Sequence, residues 1–291
     1  MQKIKLGRTR LNVSRIALGG YPFGGVNKAN DWDPWSEAGK RTAIGTVNHA
    51  IDRGINYVDT APGYGEGNSE RIIGEVMKTR RDEVVLATKV RWEKMSKQAV
   101  INSVHESLSR LQTDHLDIVQ FHGGMFTAAD YAQVVDGGPL EALVDLKAQG
   151  KIGFIGLTAE EPWTAIQFLA HPEIDVYQLA YNFIYQHAAK HMLIDAHAAN
   201  VGVVTMRTMT SGILQRAAKY LAPEWQSARD LFQVSLEFVL SDSRVHSAIV
   251  GMRWPSEVDL NVDLVENFKP QFDFAELPRM TAHVYQAEDA E

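Results

Sequence analysis

The amino-acid sequence predicts an α/β protein, a (β/α)8 TIM barrel with an N-terminal β-hairpin. Three observations lead there. Eight short strand candidates are continuously apolar, helical patterns separate them, and polar side chains gather at the carboxyl ends of consecutive strands. Strands buried on both faces read as unbroken apolar runs, the mark of a parallel sheet covered by helices. In a parallel barrel the carboxyl ends of the strands form the face where ligands bind. A doubly wound open sheet has the same periodicities, and the count of eight strand–helix units favours the barrel.

The elements follow in order. Residues 3–6 and 11–13 flank Gly7-Arg8-Thr9-Arg10, a hairpin filling residues 1–14. Residues 15–19 form the first barrel strand, and a long loop over 20–39 follows. Ile44, Val47 and Ile51 lie on one face of a helix that stops at Gly54, which accepts the left-handed conformation of a helix end. Residues 55–58 make the second strand, ending at Asp59, and residues 69–78 the helix after it. The third strand, 84–87, runs on to Lys89. A helix then opens at Ser96 with Val100, Val104, Leu108 and Leu111 at helical spacing.

The fourth strand, 116–121, ends at His122, and the stretch from there through Gly137-Gly138-Pro139 reads as a long loop. A helix over 140–149 is stopped by Gly150, and the fifth strand is 152–157. Thr158 is expected to cap the next helix, with Glu161 three residues on completing a capping box. Residues 176–179 and 201–206 are the sixth and seventh strands, a helix over 228–240 leads to the eighth, 247–250, and Pro255 opens the last helix. No low-complexity linker interrupts the series, so residues 1–291 read as one domain with a tail over 268–291.

Composition removes several function classes. The chain carries 36 acidic against 29 Lys and Arg residues, a net charge of −7, which argues against a nucleic-acid or anionic-membrane partner. It has no cysteine, so disulfides, thiolate zinc sites and cysteine-held iron–sulfur clusters are excluded, and no metal site is expected. No apolar run reaches the ~18 residues of a membrane span, and the N-terminal stretch lacks the apolar core of a signal peptide. A cytoplasmic location is the expectation.

The chemistry gathers between Gly54 and His122. Asp59, Lys89 and His122 close three successive strands, and Tyr64 follows the first of these by five residues. A tyrosine has an unperturbed pKa of about 10, too high for easy proton donation near neutrality. A lysine ammonium beside it favours the phenolate, and an aspartate keeps that lysine charged and oriented. Such a set supports a phenolic general acid acting on a carbonyl oxygen. A lone histidine at a strand end is more often structural, but in a barrel these four side chains converge. The run Gly63-Tyr64-Gly65-Glu66-Gly67 is not a dinucleotide fingerprint, because the third glycine position holds Asn68. It reads as a flexible turn that brings Tyr64 to the site.

With these residues in place, the chain resembles the aldo-keto reductase superfamily from Gly7-Arg8-Thr9 to about Asn261. The likeness is most specific in Gly54-Ile55-Asn56-Tyr57-Val58-Asp59-Thr60-Ala61-Pro62-Gly63-Tyr64-Gly65. Gly153-Phe154-Ile155-Gly156, Gln178 with Tyr181-Asn182, and the stretch from Gly251 to Asn261 also match. The resemblance implies Asp59, Tyr64, Lys89 and His122 as the catalytic tetrad of an NAD(P)-dependent oxidoreductase that interconverts an aldehyde or ketone, possible sugars included, with its alcohol. It also leaves room for a cofactor-binding regulatory or sensor subunit with little turnover. A barrel lyase or isomerase using Lys89 as a Schiff base is the third reading.

The resemblance places NADP or NAD on the barrel rim. Gln178 would hold the carboxamide with Thr158, while the usual asparagine partner is replaced by Ala159. The stacking position falls at Met206 or Arg207, and Arg207 is open to two readings, a pyrophosphate partner or a solvated rim residue. Ser211, Gly212 and Leu214 correspond to the pyrophosphate loop, and Gly251, Arg253, Glu257 and Asn261 to the adenosine end. Glu257 stands where an arginine or glutamine usually grips the 2′-phosphate, which weakens the preference for NADP. Tyr21, Phe23, Trp32, Trp35, Arg91 and Trp92, in the loops after the first and third barrel strands, are expected to wall the substrate pocket. Trp32 and Trp35 have the alternative of packing the loop onto the barrel. Arg91 would pair with an anionic substrate group or with a neighbouring acid.

Overall fold

The computed structural model describes residues 1–25, 31–190, 192–224, 230–271 and 273–276. The hairpin forms as expected, β1 (Lys3–Lys5) antiparallel to β2 (Asn12–Ser14). Eight parallel strands then close a barrel: β3 (Ile16–Gly19), β4 (Tyr57–Asp59), β5 (Val85–Val90), β6 (Leu116–His122), β7 (Ile152–Ala159), β8 (Ile174–Ala180), β9 (Gly202–Met206) and β10 (Ser247–Gly251). Each pairs with its sequence neighbour, and β10 pairs with β3 to complete the ring. Closure removes the edge strands that an open sheet would leave exposed.

Local sequence explains most of the surrounding helices. Ser36 accepts from the Gly39 amide to start α1 (Glu37–Asp52), and Ser96 does the same with Ala99 at the start of α3 (Lys97–Leu111). Between them lies α2 (Asn68–Arg80). The region expected to be one long loop after His122 contains α4 (Ala128–Val135), opened by a capping box between Thr127 and Asp130, before α5 (Pro139–Ala148). Two short helices, α6 (His187–Lys190) and α7 (Met192–Ala198), precede β9, and α8 (Ile213–Leu221) follows it. The helix before β10 is α9 (Leu231–Leu240), capped by Asp230, and Pro255 opens α10 (Pro255–Asn267). Residues 228 and 229, expected in that penultimate helix, and most of the tail lie outside the described residues. The described part of the tail packs Phe274 on Phe238, with ring centroids 4.6 Å apart.

Thr158 does not cap a helix. Pairing with β6 and β8 carries β7 on to Ala159, so Thr158 stays in the strand, opposite His122 and Gln178. Its hydroxyl donates to the Gly123 carbonyl at 2.9 Å and accepts from the Gly123 amide at 3.0 Å. The following segment, Pro162–Phe168, is a 3₁₀ helix without a side-chain cap. Strand pairing supplied by the barrel outweighs a capping box worth about 1 kcal/mol.

Two apolar layers hold the fold. The larger lies between barrel and helices. The smaller fills the barrel interior, where Tyr57, Ala87, Ile118, Val176 and Val204 meet Leu6 and Val13 of the hairpin. The hairpin thus plugs the amino-terminal end of the barrel. Among the described residues no helix is long and apolar enough to cross a membrane.

Candidate active site

Strand alternation decides which side chains enter the barrel. One pleat beyond Tyr57, Ala87, Ile118, Phe154, Val176 and Val204 come Asp59, Lys89, Gln120, Gly156, Gln178 and Met206. A polar layer therefore rests directly on the apolar plug, on the side where the strands end. Burying a charge costs several kcal/mol unless it is paired. Here Lys89, 2 % exposed, donates through its Nζ to Asp59 Oδ2 at 2.7 Å and to the Thr60 carbonyl at 2.9 Å. Gln120 Nε2 donates to Asp59 Oδ1 at 3.3 Å and to Gln178 Oε1 at 3.0 Å. Gly156 makes room for this amide, because a Cβ there would lie 3.1 Å from Gln120 Cγ and 2.6 Å from the Val176 carbonyl oxygen.

Tyr64 comes to this layer on the turn after β4. Gly65, Glu66 and Gly67 all have positive φ, at 62°, 50° and 83°. A Cβ on Gly65 would stand 2.4 Å from the Gly24 carbonyl oxygen, so the turn is locked against the loop after β3. The turn runs through left-handed backbone at these three successive residues. Asn68 Nδ2 donates to the Phe23 carbonyl at 2.9 Å and adds a second tie.

The four side chains converge. Lys89 Nζ lies 4.9 Å from the centroid of the Tyr64 ring, and the His122 ring meets that ring edge-on at 5.9 Å. Tyr21 packs edge-on at 5.1 Å, again on Tyr64. Burial raises the Tyr64 pKa above the ordinary phenol value, and the Lys89 ammonium opposes it without reversing it. Burial also works against the Lys89 charge, but Asp59 and Tyr64 outweigh it and its pKa is raised. His122 is pushed down to about 3 by burial, with Lys89 and Arg91 adding to the shift. Near neutrality the site therefore presents a protonated phenol, an ammonium and a neutral imidazole.

The residues expected to hold a dinucleotide lie on the same rim. Gln178 Nε2 lies 3.9 Å from the Met206 Sδ, a weak acceptor, and the Gln178 side chain also helps stabilise the Asp59 carboxylate. Arg207 is in the left-handed region at φ 56° and pairs with Glu160, while its Nη1 is 3.3 Å from Ser211 Oγ. Gly212 caps α8, whose first turn includes Leu214. At the end of β10, past Gly251, the Glu257 Oε2 accepts from the Arg253 amide at 2.5 Å, and Asn261 Nδ2 bonds the Glu257 carbonyl at 2.7 Å. Arg253 Nε and Gln120 Oε1 are buried without partners.

The aromatic set divides. Tyr21 and Trp35 are about half exposed. Phe23 and Trp32 are buried, with the Trp32 Nε1 bonded to the Pro22 carbonyl at 2.8 Å and its ring 5.5 Å from Trp254. Trp92 is also buried and stacks on Phe126 at 5.3 Å. These three pack the loops onto the barrel. Arg91 is exposed at the end of β5.

Two site residues escaped the sequence reading. Gln120 was signalled only by a polar residue recurring in the Ile118, Gln120, His122 alternation of an apolar strand. Glu160 stands 47 residues before Arg207, and no sequence feature joins them.

Several known proteins are similar to this chain in sequence or in fold. L-galactose dehydrogenase of Arabidopsis thaliana is 28 % identical over 91 % of this chain and 89 % of its own length. The NADH-specific methylglyoxal reductase of Escherichia coli is 30 % identical over 63 % of this chain and 60 % of its own. The solved holo form of the aldo-keto reductase AKR11C1 from Bacillus halodurans superposes with a TM-score of 0.76 over 92 % of both chains, at 27 % identity. The Aldo/keto reductase family model matches residues 15–283, and the chain is accordingly an oxidoreductase of the aldo/keto reductase family.

Proposed function

We propose that the protein interconverts an aldehyde or ketone with its alcohol, drawing on a nicotinamide dinucleotide. The observation that carries this reading is the buried Lys89–Asp59 pair under Tyr64, beside a neutral His122. When bound, the reduced dinucleotide supplies the hydride. Tyr64 is protonated at neutral pH and donates its phenolic proton to the carbonyl oxygen. The Lys89 ammonium stabilises the phenolate left behind, Asp59 fixes the ammonium, and Gln120 fixes the carboxylate. The His122 N–H orients the carbonyl by a hydrogen bond that a neutral ring can give. In oxidation Tyr64 becomes the base. A Schiff-base role for Lys89 fits poorly, because its raised pKa leaves no free lone pair.

The rim residues fit a dinucleotide. Gln178 is held at its Oε1 by Gln120, and its Nε2 side, 3.9 Å from the Met206 Sδ, would with Thr158 hold the carboxamide. Met206 and Arg207 would flank the ring, Ser211, Gly212 and Leu214 the pyrophosphate, and Gly251, Arg253 and Asn261 the adenosine end. Glu257 decides between NAD and NADP. Its carboxylate takes the Arg253 amide and lies 3.7 Å from Arg253 Nη1, offsetting the cation that a 2′-phosphate needs. NAD(H) is therefore used readily, in agreement with the NADH-specific relative in Escherichia coli. The names of that relative and of L-galactose dehydrogenase support a small aldehyde or a sugar as substrate.

Fluorescence titration with NADH and NADPH tests this. NADH should bind at least as tightly as NADPH, and Glu257→Gln should shift the ratio toward NADPH by about fivefold, the scale of one screened charge contact. Tenfold tighter binding of NADPH by the unmutated protein would overturn the preference. Binding of neither would end the redox reading.

A further inference from the structure

We infer that Arg91 grips an anionic group on the substrate, so that the protein selects carbonyl compounds bearing a carboxylate or phosphate near the carbonyl. This rests on the carbonyl-reduction reading and names its substrate class. Lys89 lies in β5, and Arg91 follows it by two residues, just past the strand's carboxyl end at the barrel mouth. The register pairs Val90 with Phe121, which sets Arg91 beside His122. The cation is thus close enough for its charge to act on the His122 ring.

Its charge has no ion-pair partner among the described residues. Among the described residues no carboxylate lies within ion-pair distance of Arg91, although the side chain is exposed and the chain is acidic overall. The nearest acid in sequence, Glu93, accepts instead from the Trp92 amide at 3.3 Å. Other cations around the mouth are committed: Lys89 to Asp59, Arg207 to Glu160 and Arg253 to Glu257. The Arg91 charge is felt inside the site, where it helps hold His122 neutral. A guanidinium is a rigid, permanently charged fork that matches carboxylate and phosphate oxygens in pairs. An unpaired guanidinium at the mouth, next to the end of β5 and level with His122, is placed to read a substrate anion. The half-exposed Tyr21, packed against Tyr64, leaves that approach lined by one aromatic edge.

The test compares matched substrates on the full chain with saturating NADH or NADPH. Butanal is set against 4-oxobutanoate, and glyceraldehyde against glyceraldehyde 3-phosphate, with wild type, Arg91→Met and Arg91→Lys. The wild type should favour the charged member of at least one pair by about tenfold or more in kcat/KM, the scale of a charge-assisted fork contact. Arg91→Met should bring that ratio to about one, mainly through KM, and Arg91→Lys should retain part of it. The pair with the larger ratio assigns the anion as carboxylate or phosphate. A wild-type ratio near one, or a ratio unchanged in Arg91→Met, overturns the proposal. Calorimetric titration with 4-hydroxybutanoate and glycerol 3-phosphate gives a readout without turnover. If no aldehyde is reduced, the reduction reading fails and this titration decides on Arg91 alone. A roughly tenfold loss of affinity in Arg91→Met upholds anion binding, and absent or unchanged binding overturns it.

Discussion

Tyr64 is the side chain on which burial and charge compete most directly. The sequence places a lysine near it and so predicts a lowered pKa. In the fold Lys89 acts in that sense, yet burial is the larger effect and the phenol stays protonated. Proton donation is then ready at neutral pH, and Lys89 serves to stabilise the phenolate after transfer. Tyr64→Phe keeps the ring that contacts Tyr21 and His122 and deletes only the donor. Turnover should fall by about 10²–10⁴-fold while dinucleotide affinity is retained, read by steady-state rates and fluorescence titration. Equal activity in the variant would mean that another group supplies the proton. Asp59, Tyr64, Lys89 and His122 were legible because strand ends can be read from apolar runs and barrel strands converge. The directions of Phe23, Trp32 and Trp92 were not, since an aromatic in a loop can face a pocket or the core equally well. Glu160 and Arg207 meet only because β7 and β9 both pair with β8 and bring their ends together.

At the scale of elements, the strand that carries Lys89 is anchored by a buried carboxylate on the neighbouring helix. Glu70 of α2 is fully buried, accepting from Thr88 Oγ1 on β5 at 2.6 Å and from Arg110 Nε on α3 at 2.6 Å. Thr88 precedes Lys89 and points the other way, so one residue ties the strand outward while the next presents the ammonium inward. Arg110→Ala leaves the Glu70 charge buried without its partner and should cost about 3–5 kcal/mol of stability, measured by urea unfolding. A loss under about 1 kcal/mol would mean the pair behaves like an exposed one. Element reading failed in instructive places. Thr158 and Glu161 carry capping-box chemistry, but the barrel extends β7 through Thr158, and the box forms instead at Thr127 and Asp130. The short helices α4, α6 and α7 have too few turns to show a periodic apolar face, so nothing in the sequence separated them from loop.

For the whole molecule, closing the ring places histidines where water cannot easily solvate their charged form. His122 stands at the barrel mouth. His246 stands just before β10, where its Nδ1 accepts from the Val203 amide at 3.1 Å and its own amide donates to the Val203 carbonyl at 2.9 Å. Burial pushes His122 down to about 3 and His246 down to about 4, from an ordinary value of 6.5. The unfolded chain therefore takes up these two protons first as the pH falls. Stability is complete above about pH 6.5 and erodes as the pH drops toward the folded-state values, ahead of most carboxylate titration. Thermal melts at a series of pH values should show Tm level just above neutrality and a fall setting in near pH 6. The neutral variant His246→Gln should flatten the upper part of that fall, because the side chain it introduces carries no proton to release on folding. A Tm that stays level down to pH 4.5 in the unmutated protein would show that both rings are solvated and that the barrel opens there more freely than its packing indicates.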